Sequence, residues 1–490
     1  MDGKKAQQRG NPRIVVIGAG MSGILTAIKL LEAGIENIRV YEKAEKVGGT
    51  WRENTYPGLS CDVPSHVYSY SFELNPRWSR LFSPGAEIQA YFEDIAEKYE
   101  LDPYISFNTE IIETVFHNGQ WHIKSQDGHI DTADFIICAT GVLHHPAYPD
   151  IEGVDEFAGP CFHTACWDHS VDLADKRVGI IGTGSTAIQI VPAIVDVVTE
   201  ISLFQRTAQW IFPLANPYYT EEEIEGFEKN TQIIQHIHNS MSEALHNTFA
   251  RAVIGDEVQM NAIDTACRAN LTENVKDPEL RQKLTPDYIA ACKRLIMSND
   301  FYPAIQKPNA NLVTEGIERI EADGVRTKDG TLHALDILVL ATGFHGHQFM
   351  RPMNVIGKNG VNLGEEWADV AQAYRSVAVP GFPNFFTLVG PNSPIGNFSL
   401  IEISELQLGY IMQLIAGFRA GQFSTIAPRK DVTDKFNADI LEAMKGTVWV
   451  SGCKSWYLDK NGNPAMWPWP FERFTEDMSK PKLDEFELTA

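Results

Sequence analysis

The feature of this sequence that most constrains its fold is a pair of glycine-rich turns, each of which follows a short apolar run. Residues 18–23 read Gly-Ala-Gly-Met-Ser-Gly after the apolar run 14–17, and residues 182–187 read Gly-Thr-Gly-Ser-Thr-Ala after the run 178–181. A strand that turns through such glycines into a helix leaves backbone N–H groups and the positive end of the helix free to bind a pyrophosphate. The pattern therefore predicts two α/β units, each able to bind a dinucleotide.

The residues that follow the two turns carry opposite charges. Glu42 lies 24 positions after Gly18, at the end of a second strand-like run, and Arg206 lies 24 positions after Gly182 in the equivalent place. A carboxylate binds the free hydroxyl groups of a ribose, whereas an arginine binds a ribose 2′-phosphate. The sequence therefore predicts two different dinucleotides, most simply FAD at the first turn and NADPH at the second.

Length and charge exclude several classes of protein. A chain of 490 residues is too long for one ordinary domain. Its net charge of −23 argues against a nucleic-acid or anionic-membrane partner. No apolar run approaches the ~20 residues that span a bilayer, and residues 1–10 lack the apolar core of a secretory signal. We therefore expect a cytoplasmic protein.

The cysteines give no sign of a redox or metal centre. The seven cysteines are scattered along the chain, so we expect reduced thiols and no disulfide framework. Cys161 and Cys166 have a spacing like that of the redox pair of flavin disulfide reductases, but that pair follows the first glycine turn closely. Here the pair lies well over a hundred residues further on, and we expect no metal site and no redox-active pair.

The two units are nested in the chain. Strand-like runs at 135–141 and 335–344 close the first and second units, and both contain Ala-Thr-Gly. The second copy of the pattern thus lies inside the first. The prediction is a discontinuous FAD-binding domain, residues 1–145 and 345–490, with an NADP-binding domain at 146–344 between its two parts. The fold class is therefore α/β, with two Rossmann-like dinucleotide-binding domains.

Two segments depart from the α/β pattern. Residues 220–290 are rich in helix-forming residues with apolar positions at helical spacing, which predicts a helical insertion. This insertion could cover a substrate cavity or be a packing appendage, and the sequence does not separate the two. The last ~20 residues are acidic, and we expect a loosely held tail there.

Two motifs give the chain a family resemblance. Residues 157–168 link the two units and read Phe-Ala-Gly-Pro-Cys-Phe-His-Thr-Ala-Cys-Trp-Asp. This segment resembles the fingerprint of type I Baeyer–Villiger monooxygenases, FxGxxxHxxxW followed by Pro or Asp, at every fixed position. Residues 48–62 match that family's second signature, GGxWxxxxYPGxxxD. The related N- and S-oxygenating flavin monooxygenases usually carry Tyr or Phe where Trp167 stands.

The resemblance implies a reaction and its participants. It implies an enzyme that uses FAD, NADPH and O2 to convert a small ketone into an ester or lactone through a C4a-peroxyflavin. The alternative is a flavin monooxygenase that oxygenates sulfur or nitrogen. No nucleic acid or membrane partner is expected, and the chain should be a monomer or a weak homo-oligomer. The helical insertion and the segment around 440–460 should shape the substrate pocket.

The resemblance also assigns the catalytic residues. Taken alone, Lys293-Arg294 would be an ordinary solvated pair of cations. In the family that the chain resembles, the matching arginine stabilises negative charge during the reaction. The resemblance therefore makes Arg294 the predicted catalytic cation. Asp62 is its predicted partner, with a turn aspartate beside the cofactor as the alternative. His163 is expected to pack or bond locally and to serve domain movement, not proton transfer. Trp456 resembles a family tryptophan near NADP, or is a core aromatic.

The predicted cofactor-binding residues come partly from the turns and partly from the resemblance. For FAD they are Gly18, Gly20, Gly23, Glu42, Gly49, Thr50, Trp51, Asp62, Tyr68 and Ile111, of which Tyr68 could instead be core. For NADPH they are Gly182, Thr183, Gly184, Ser185, Thr186, Arg206, Thr207, Lys293 and Trp456. No residue is predicted to bind a metal.

Overall fold

Apolar four- and five-residue runs, each ending at a glycine turn, form the central strands of two parallel sheets. The structure is a computed structural model that describes residues 10–490. The prediction that the chain does not begin with a secretory signal concerns residues 1–10, and residues 1–9 lie outside the described residues.

The chain falls into three successive stretches of secondary structure. The first contains β1 (Ile14–Ile17), α1 (Met21–Glu32), β2 (Ile38–Tyr41), α2 (Thr50–Glu53), α3 (Gly85–Lys98), β3 (Ile105–Ser106), β4 (Ile111–His117), β5 (Gln120–Ser125), β6 (Ile130–Ala133) and β7 (Phe135–Cys138). The second contains β8 (Cys161–His163), β9 (Arg177–Ile181), α4 (Ser185–Ile194), β10 (Glu200–Phe204), β11 (Ile211–Phe212), α5 (Glu221–Lys229), α6 (Thr231–Asn247), α7 (Phe249–Val253), α8 (Glu257–Asn274), α9 (Pro278–Lys283), β12 (Ile296–Met297), α10 (Phe301–Ile305), β13 (Ala310–Val313), β14 (Ile317–Glu321), β15 (Gly324–Thr327), β16 (Leu332–Ala334) and β17 (Ile337–Leu340). The third contains β18 (Asn354–Ile356), α11 (Leu363–Glu366), β19 (Phe385–Thr387), α12 (Leu400–Arg419), β20 (Thr425–Pro428), α13 (Lys430–Met444), α14 (Phe471–Ser479) and β21 (Phe486–Thr489).

The first parallel sheet has the strand order β19-β7-β1-β2-β3. All four residues of β1 and of β7 are buried, as expected for strands covered on both faces. Strand β1 pairs in parallel with β2 and β7, so that Ile14 lies between Ile38 and Phe135. Helix α1 packs closely on this sheet because Gly23 has no side chain: a Cβ there would lie 1.9 Å from the carbonyl oxygen of Gly18.

The second parallel sheet repeats this arrangement with the order β13-β10-β9-β17-β8. The fold is therefore α/β with two Rossmann-like domains, and the second is inserted in the first. Strand β19, which follows the whole second unit, pairs in parallel with β7 of the first sheet. A discontinuous first domain requires this pairing, while the boundaries at 145/146 and 344/345 stay a prediction. Two smaller sheets, β18-β4-β5-β6 and β14-β15-β16, accompany the two parallel sheets.

The predicted helical insertion is present as α5 to α9. Four of its five helices begin at side-chain caps: Thr220 forms a capping box with Glu223, Asn230 and Asp256 cap the two longest helices, and Asp277 caps α9. The insertion packs against other parts of the chain. Nδ1 of His238 lies 2.7 Å from the carbonyl oxygen of His66, and α7 packs against the turn at 448–450.

The prediction of a loosely held C-terminal tail is wrong. Strand β21 pairs antiparallel with β20, so the last residues belong to a two-stranded sheet. Buried Arg375 forms ion pairs with Asp477 and Glu485, at 3.8 and 3.4 Å. The Tyr374 hydroxyl also donates a hydrogen bond to Glu485. The tail's acidic composition suggested exposure, but two of its acids neutralise a buried arginine from a distant part of the chain.

The prediction that the cysteines carry no disulfide is also wrong. Cys292 and Cys453 form a disulfide across 161 positions of sequence, with a Cα–Cα distance of 6.2 Å. That distance lies within the usual range for a disulfide. Cys161 and Cys166 are both free and exposed. Within residues 10–490, no helix is both long enough and apolar enough to cross a membrane.

Candidate active site

A large cavity of about 1550 Å³ lies between the two parallel sheets. Pockets for one small molecule usually measure ~300–1,000 Å³, so this cavity has room for more than one. Both glycine turns open into it, together with the segment 48–62 that matched the second family signature. Its wall also includes Arg294 and residues 454–456 of the C-terminal stretch.

The first glycine turn has the geometry of an anion cradle. Gly18 has φ = +102°, and a Cβ there would lie 2.6 Å from the carbonyl oxygen of Ala139, so a larger residue does not fit. Helix α1 begins after Gly20 with no side-chain cap, which leaves its first N–H groups free to bind a phosphate. Glu42 is buried, and its carboxylate accepts a hydrogen bond from the N–H of Ala19 at 2.7 Å.

The second turn repeats this geometry. Gly182 has φ = +118°, and a Cβ there would lie 2.2 Å from the carbonyl oxygen of Ala341. Helix α4 begins after Gly184, again without a side-chain cap, in contrast to the capped helices of the insertion. The Thr183 hydroxyl donates to the carbonyl oxygen of Thr207 at 2.8 Å, which connects the turn to the strand end that carries Arg206.

Three cations line the cavity beyond this second turn. Arg206 is exposed, and within residues 10–490 neither it nor Lys293 forms a salt bridge with a carboxylate. Burial and the nearby charge of Arg206 lower the pKa of Lys293, although Asp287 opposes this shift. Lys328, on the hairpin between β15 and β16, also lines the cavity. Cations without carboxylate partners form a suitable site for a 2′-phosphate.

Replacement of Arg206 by alanine should therefore discriminate between the two nicotinamide dinucleotides. We expect KM for NADPH to rise roughly tenfold or more, the usual cost of losing a hydrogen bond to a charged group, and KM for NADH to change less than about twofold. Steady-state NADPH and NADH oxidation by the two proteins would measure this. Lys307→Ala is the matched control, because Lys307 pairs with Asp196 outside the cavity wall. An equal loss for both dinucleotides would count against the assignment of Arg206.

The segment 48–62 connects the two units across the cavity. Gly49 has φ = +54°, and a Cβ there would lie 3.0 Å from the Cα of Gly20. At the other end of the segment, the Tyr56 hydroxyl donates to Oε1 of Gln189 on α4 at 2.9 Å. Gly58 packs against the same helix, since a Cβ there would lie 2.4 Å from the carbonyl oxygen of Gln189. This signature therefore joins the first glycine turn to the second unit.

Aromatic residues of the first unit line the neighbouring wall. Nε1 of Trp51 donates to the Tyr68 hydroxyl at 3.1 Å, and the two rings meet edge to face at 5.5 Å. Burial raises the pKa of Tyr68, which keeps its hydroxyl neutral. Ile111 is buried at the start of β4 and also lines the cavity. Tyr68 is thus buried and also reaches the cavity wall, while its contact with FAD stays a prediction.

Arg294 and Asp62 meet in this cavity although 232 positions of sequence separate them. Nε of Arg294 donates to Oδ2 of Asp62 at 2.9 Å, and a terminal nitrogen lies 2.6 Å from the same oxygen. The predicted contact is thus confirmed, while the catalytic role of the pair stays a prediction. Burial opposes the charge of Arg294, but Asp62 and the neighbouring Tyr457 together more than offset it, so the pKa of Arg294 is raised. The guanidinium therefore stays charged.

The backbone before Arg294 adopts an energetically unfavourable conformation at Ala291. Ala291 is buried and has φ = +62°, in the left-handed region that residues with a Cβ rarely adopt. Such outliers persist where the surrounding structure imposes them, and they concentrate at functional sites. Here the turn leads directly into the disulfide at Cys292 and then into Lys293 and Arg294.

All but one of the predicted site residues line the same cavity. The exception is Gly23, whose position serves the packing of α1 on β1. Three further residues of the site were not predicted: Lys328, Gln189 and Ile395, whose carbonyl oxygen accepts from Arg294 at 3.4 Å. Their positions depend on how distant segments pack, which no local pattern records.

The linker fingerprint lies outside the cavity wall. None of residues 157–167 lines the cavity within the described part of the chain. Within this segment, Cys161–His163 form β8, the edge strand of the second sheet, and a Cβ at Gly159 would lie 2.4 Å from the carbonyl oxygen of Asp336. His163 is buried, and its Nδ1 accepts from the N–H of Ala165 at 3.1 Å. Local bonding of His163 is thus confirmed, and its role in domain movement stays a prediction.

The helical insertion does not cover the cavity as predicted. Among residues 10–490, none between 210 and 292 lines it, whereas Lys454, Ser455 and half-buried Trp456 do. The insertion packs instead against the turn at 448–450, which precedes these lining residues. Part of the segment around 440–460 thus reaches the cavity, whereas the insertion packs as an appendage behind it. Which residues shape the substrate pocket stays a prediction.

Comparison with known proteins agrees with this geometry. The model of the flavin-binding monooxygenase-like family matches residues 11–363. The chain belongs to this family. It is 45% identical over 97% of its length to an uncharacterized monooxygenase of Mycobacterium tuberculosis, covering 96% of that protein. It is 38% identical over 97% of its length to a Baeyer–Villiger monooxygenase of Streptomyces coelicolor and 36% identical over 94% to one of Pseudomonas aeruginosa, covering 92% and 89% of those proteins.

Solved structures of monooxygenases share the fold over nearly the whole chain. A cyclohexanone monooxygenase from Rhodococcus bound to NADP+ superposes with a TM-score of 0.87 at 27% identity, covering 98% of this chain and 99% of that one. A steroid monooxygenase bound to NADP gives a TM-score of 0.86 at 26% identity, with the same coverage. The structure of OTEMO in complex with FAD and NADP gives 0.88 at 25% identity, again with the same coverage.

The residues of this chain fit both cofactors. The two glycine cradles have uncapped helix ends for two diphosphates, buried Glu42 can accept from ribose hydroxyls, and Arg206 and Lys293 can bind a 2′-phosphate. In the part of the chain that the structure describes, no group of three or more His, Cys, Asp or Glu side chains is arranged to hold a metal ion.

Proposed function

We propose that this protein is an FAD- and NADPH-dependent Baeyer–Villiger monooxygenase that converts ketones into esters or lactones. The observation that carries the proposal is Arg294, held by Asp62 in the cavity that both dinucleotide turns share. The family match and the relatives named Baeyer–Villiger monooxygenases support it. A cytoplasmic location and a monomeric or weakly oligomeric state remain part of the proposal.

Each part of the cavity has a place in this reaction. When bound, FAD and NADPH supply the reducing electrons and the activation of O2. Arg206 and Lys293 orient the nicotinamide dinucleotide, and Glu42 orients FAD. Arg294 stabilises the negative charge that develops on the ketone oxygen, as donors do in any oxyanion site. Asp62 holds the guanidinium in place through Nε and one terminal nitrogen, and the other terminal nitrogen donates to the carbonyl oxygen of Ile395 at 3.4 Å. Each terminal nitrogen carries two N–H groups, so donors remain for the reacting groups.

Wall residues keep water from the reacting groups. Ile395, Phe398 and Leu400 line the cavity together with Arg294, and Phe398 is buried. Exclusion of water strengthens the interaction of Arg294 with developing charge and suppresses loss of activated oxygen as hydrogen peroxide. An apolar wall next to a fixed cation suits a ketone, which has one polar oxygen and an apolar remainder.

Product analysis tests the proposal. The purified protein loaded with FAD would be given NADPH and O2 with a panel of cyclic, aryl and long-chain ketones, and in parallel with a thioether. We expect ketone-stimulated O2 uptake and an ester or lactone that accounts for most of the NADPH consumed. Sulfoxide without ester from any ketone would identify a heteroatom oxygenase instead. NADPH oxidation that no ketone stimulates would favour a dinucleotide-binding protein without this activity.

A further inference from the structure

The polypeptide that carries Arg294 is joined covalently to the C-terminal stretch. Cys292, two positions before Arg294, forms the disulfide with Cys453, and both cysteines are buried. Three positions after Cys453, Trp456 reaches the cavity wall. The disulfide therefore keeps the segment 453–457 directly behind the two cations at 293 and 294.

Tyr457 lies at this junction. It is 2% exposed and does not line the cavity, so it approaches Arg294 from behind the wall. A Cβ at Gly396 would lie 3.2 Å from its hydroxyl, and the neighbouring carbonyl oxygen of Ile395 accepts from Arg294 at 3.4 Å. The hydroxyl and the guanidinium lie within electrostatic reach of each other.

The Tyr457 hydroxyl is available for a contact with Arg294. Within residues 10–490 it has no hydrogen bond of normal geometry, although it is fully buried. Such a hydroxyl is unfavourable unless a partner engages it. The rest of the residue is held firmly: its N–H donates to the Ser455 hydroxyl at 3.2 Å, and its carbonyl oxygen accepts from Ala465 at 2.8 Å. The Arg294 guanidinium lies close enough to serve as that partner.

A neutral partner has a specific advantage here. Asp62 already places one negative charge against Arg294, and a second carboxylate would cancel the positive charge that the reaction needs. Burial raises the pKa of Tyr457, which keeps its hydroxyl uncharged. A neutral oxygen that accepts a hydrogen bond fixes the plane of the guanidinium and leaves its net charge unchanged.

We propose that Tyr457 is a positioning residue for Arg294, and that the Cys292–Cys453 disulfide holds the two residues together. Asp62 and Tyr457 would fix the guanidinium from two sides, so that it points steadily into the cavity. The role of this position in catalysis rests on the proposed function. The orientation of Arg294 does not, and it is measurable without any ketone.

The first test measures the accessibility of Arg294 in the FAD-loaded enzyme without NADPH or ketone. About a quarter of the Arg294 side chain faces the open cavity (27%), so phenylglyoxal is a suitable reagent for it. Peptide mass spectrometry reports the labelling rate at that residue, and the wild-type rate with FAD bound is the reference. We expect Tyr457→Phe to raise this rate several-fold, because the guanidinium loses an anchor. The Cys292→Ser/Cys453→Ser pair should raise it in the same direction. An unchanged rate in Tyr457→Phe overturns the role of the hydroxyl, and an unchanged rate in the serine pair overturns that of the disulfide.

The matched control is Tyr410→Phe. Tyr410 is a buried tyrosine whose hydroxyl also has no normal hydrogen bond, and it lies beside a buried arginine, with Arg375 5.8 Å from its ring. Neither residue lines the cavity. We expect Tyr410→Phe to leave the labelling of Arg294 unchanged. If Tyr410→Phe raised the labelling rate of Arg294 as much as Tyr457→Phe does, the effect would come from general loosening of the core, and the proposal would be overturned.

The second test measures how NADPH consumption divides between products. In Tyr457→Phe we expect KM for NADPH to stay within about twofold, while the ester formed per NADPH falls several-fold and hydrogen peroxide rises to match. Thermal unfolding should be similar to that of Tyr410→Phe. An unchanged ester yield overturns the positioning role. If the wild-type protein oxidises no ketone, the proposed function fails, and the labelling experiment still decides whether Tyr457 orients Arg294.

Discussion

Arg294→Ala should remove ester formation while NADPH still reduces the flavin. Removal of one preorganised donor from an oxyanion site typically costs ~10²–10³ in rate, and here a full positive charge is lost as well. We therefore expect the ester-forming rate to fall at least about 100-fold. The groups that bind NADPH, Arg206 and Lys293, remain, so hydride transfer should continue and the consumed electrons should appear as hydrogen peroxide.

Rapid-mixing measurements separate the two half-reactions. Anaerobic bleaching of the flavin by NADPH reports the reductive half-reaction. Quantification of ester and hydrogen peroxide formed under O2 reports the oxidative half-reaction. Arg294→Lys is informative because it keeps the charge but loses the planar fork, and it should retain a small part of the ester yield. Ester formation by Arg294→Ala at the wild-type rate would exclude the proposed role.

A matched arginine controls for the loss of an ion pair as such. Nε of Arg268 donates to Asp264 at 2.5 Å, much as Arg294 donates to Asp62, but Arg268 lies on α8, away from the cavity wall. We expect Arg268→Ala to leave reduction and ester yield within about twofold of wild type, since exposed pairs contribute ~0–1 kcal/mol to stability. A loss of ester in both variants would point to a general effect of unpaired aspartates.

The sequence predicted the parts of this fold that local patterns encode. Strand β1 and its turn were predictable because an apolar run buried on both faces must end where the glycines begin, and the second unit repeats the signal. Opposite charges at Glu42 and Arg206 indicated two different dinucleotides, because a carboxylate binds ribose hydroxyl groups and an arginine binds a 2′-phosphate. The contact between Arg294 and Asp62 followed from the family resemblance alone, since 232 positions separate them.

The predictions that were wrong concern contacts between distant segments of the chain. Cys292 and Cys453 have no local signal that pairs them, because the fold brings them together across 161 positions. The acidic tail was predicted to be loose because its partner, Arg375, lies about a hundred positions earlier in the chain. Similarly, helical periodicity identified the insertion correctly but held no information on which surface it would cover.

Glu42→Lys should abolish retention of FAD. The Glu42 carboxylate accepts from the N–H of Ala19 at 2.7 Å and from Ala44 at 3.0 Å, and it pairs with Arg52 at 3.1 Å. A lysine would remove the acceptor for the ribose hydroxyls and place a second cation beside Arg52. Hydrogen bonds to charged groups contribute ~1.5–3 kcal/mol each, so we expect FAD affinity to fall at least about 100-fold.

Two variants separate binding from folding. Glu42→Gln keeps an oxygen that can accept from Ala19 and should lose FAD affinity by a smaller factor. Glu442→Lys makes the same charge change on the exposed face of α13 and should keep full flavin content. Flavin absorbance per protein after purification, FAD titration of the apoprotein and thermal unfolding would be compared. If Glu42→Lys unfolds at the same temperature as Glu442→Lys and still retains FAD, then Glu42 does not bind the ribose. Its carboxylate would in that case only stabilise the glycine turn through the N–H of Ala19.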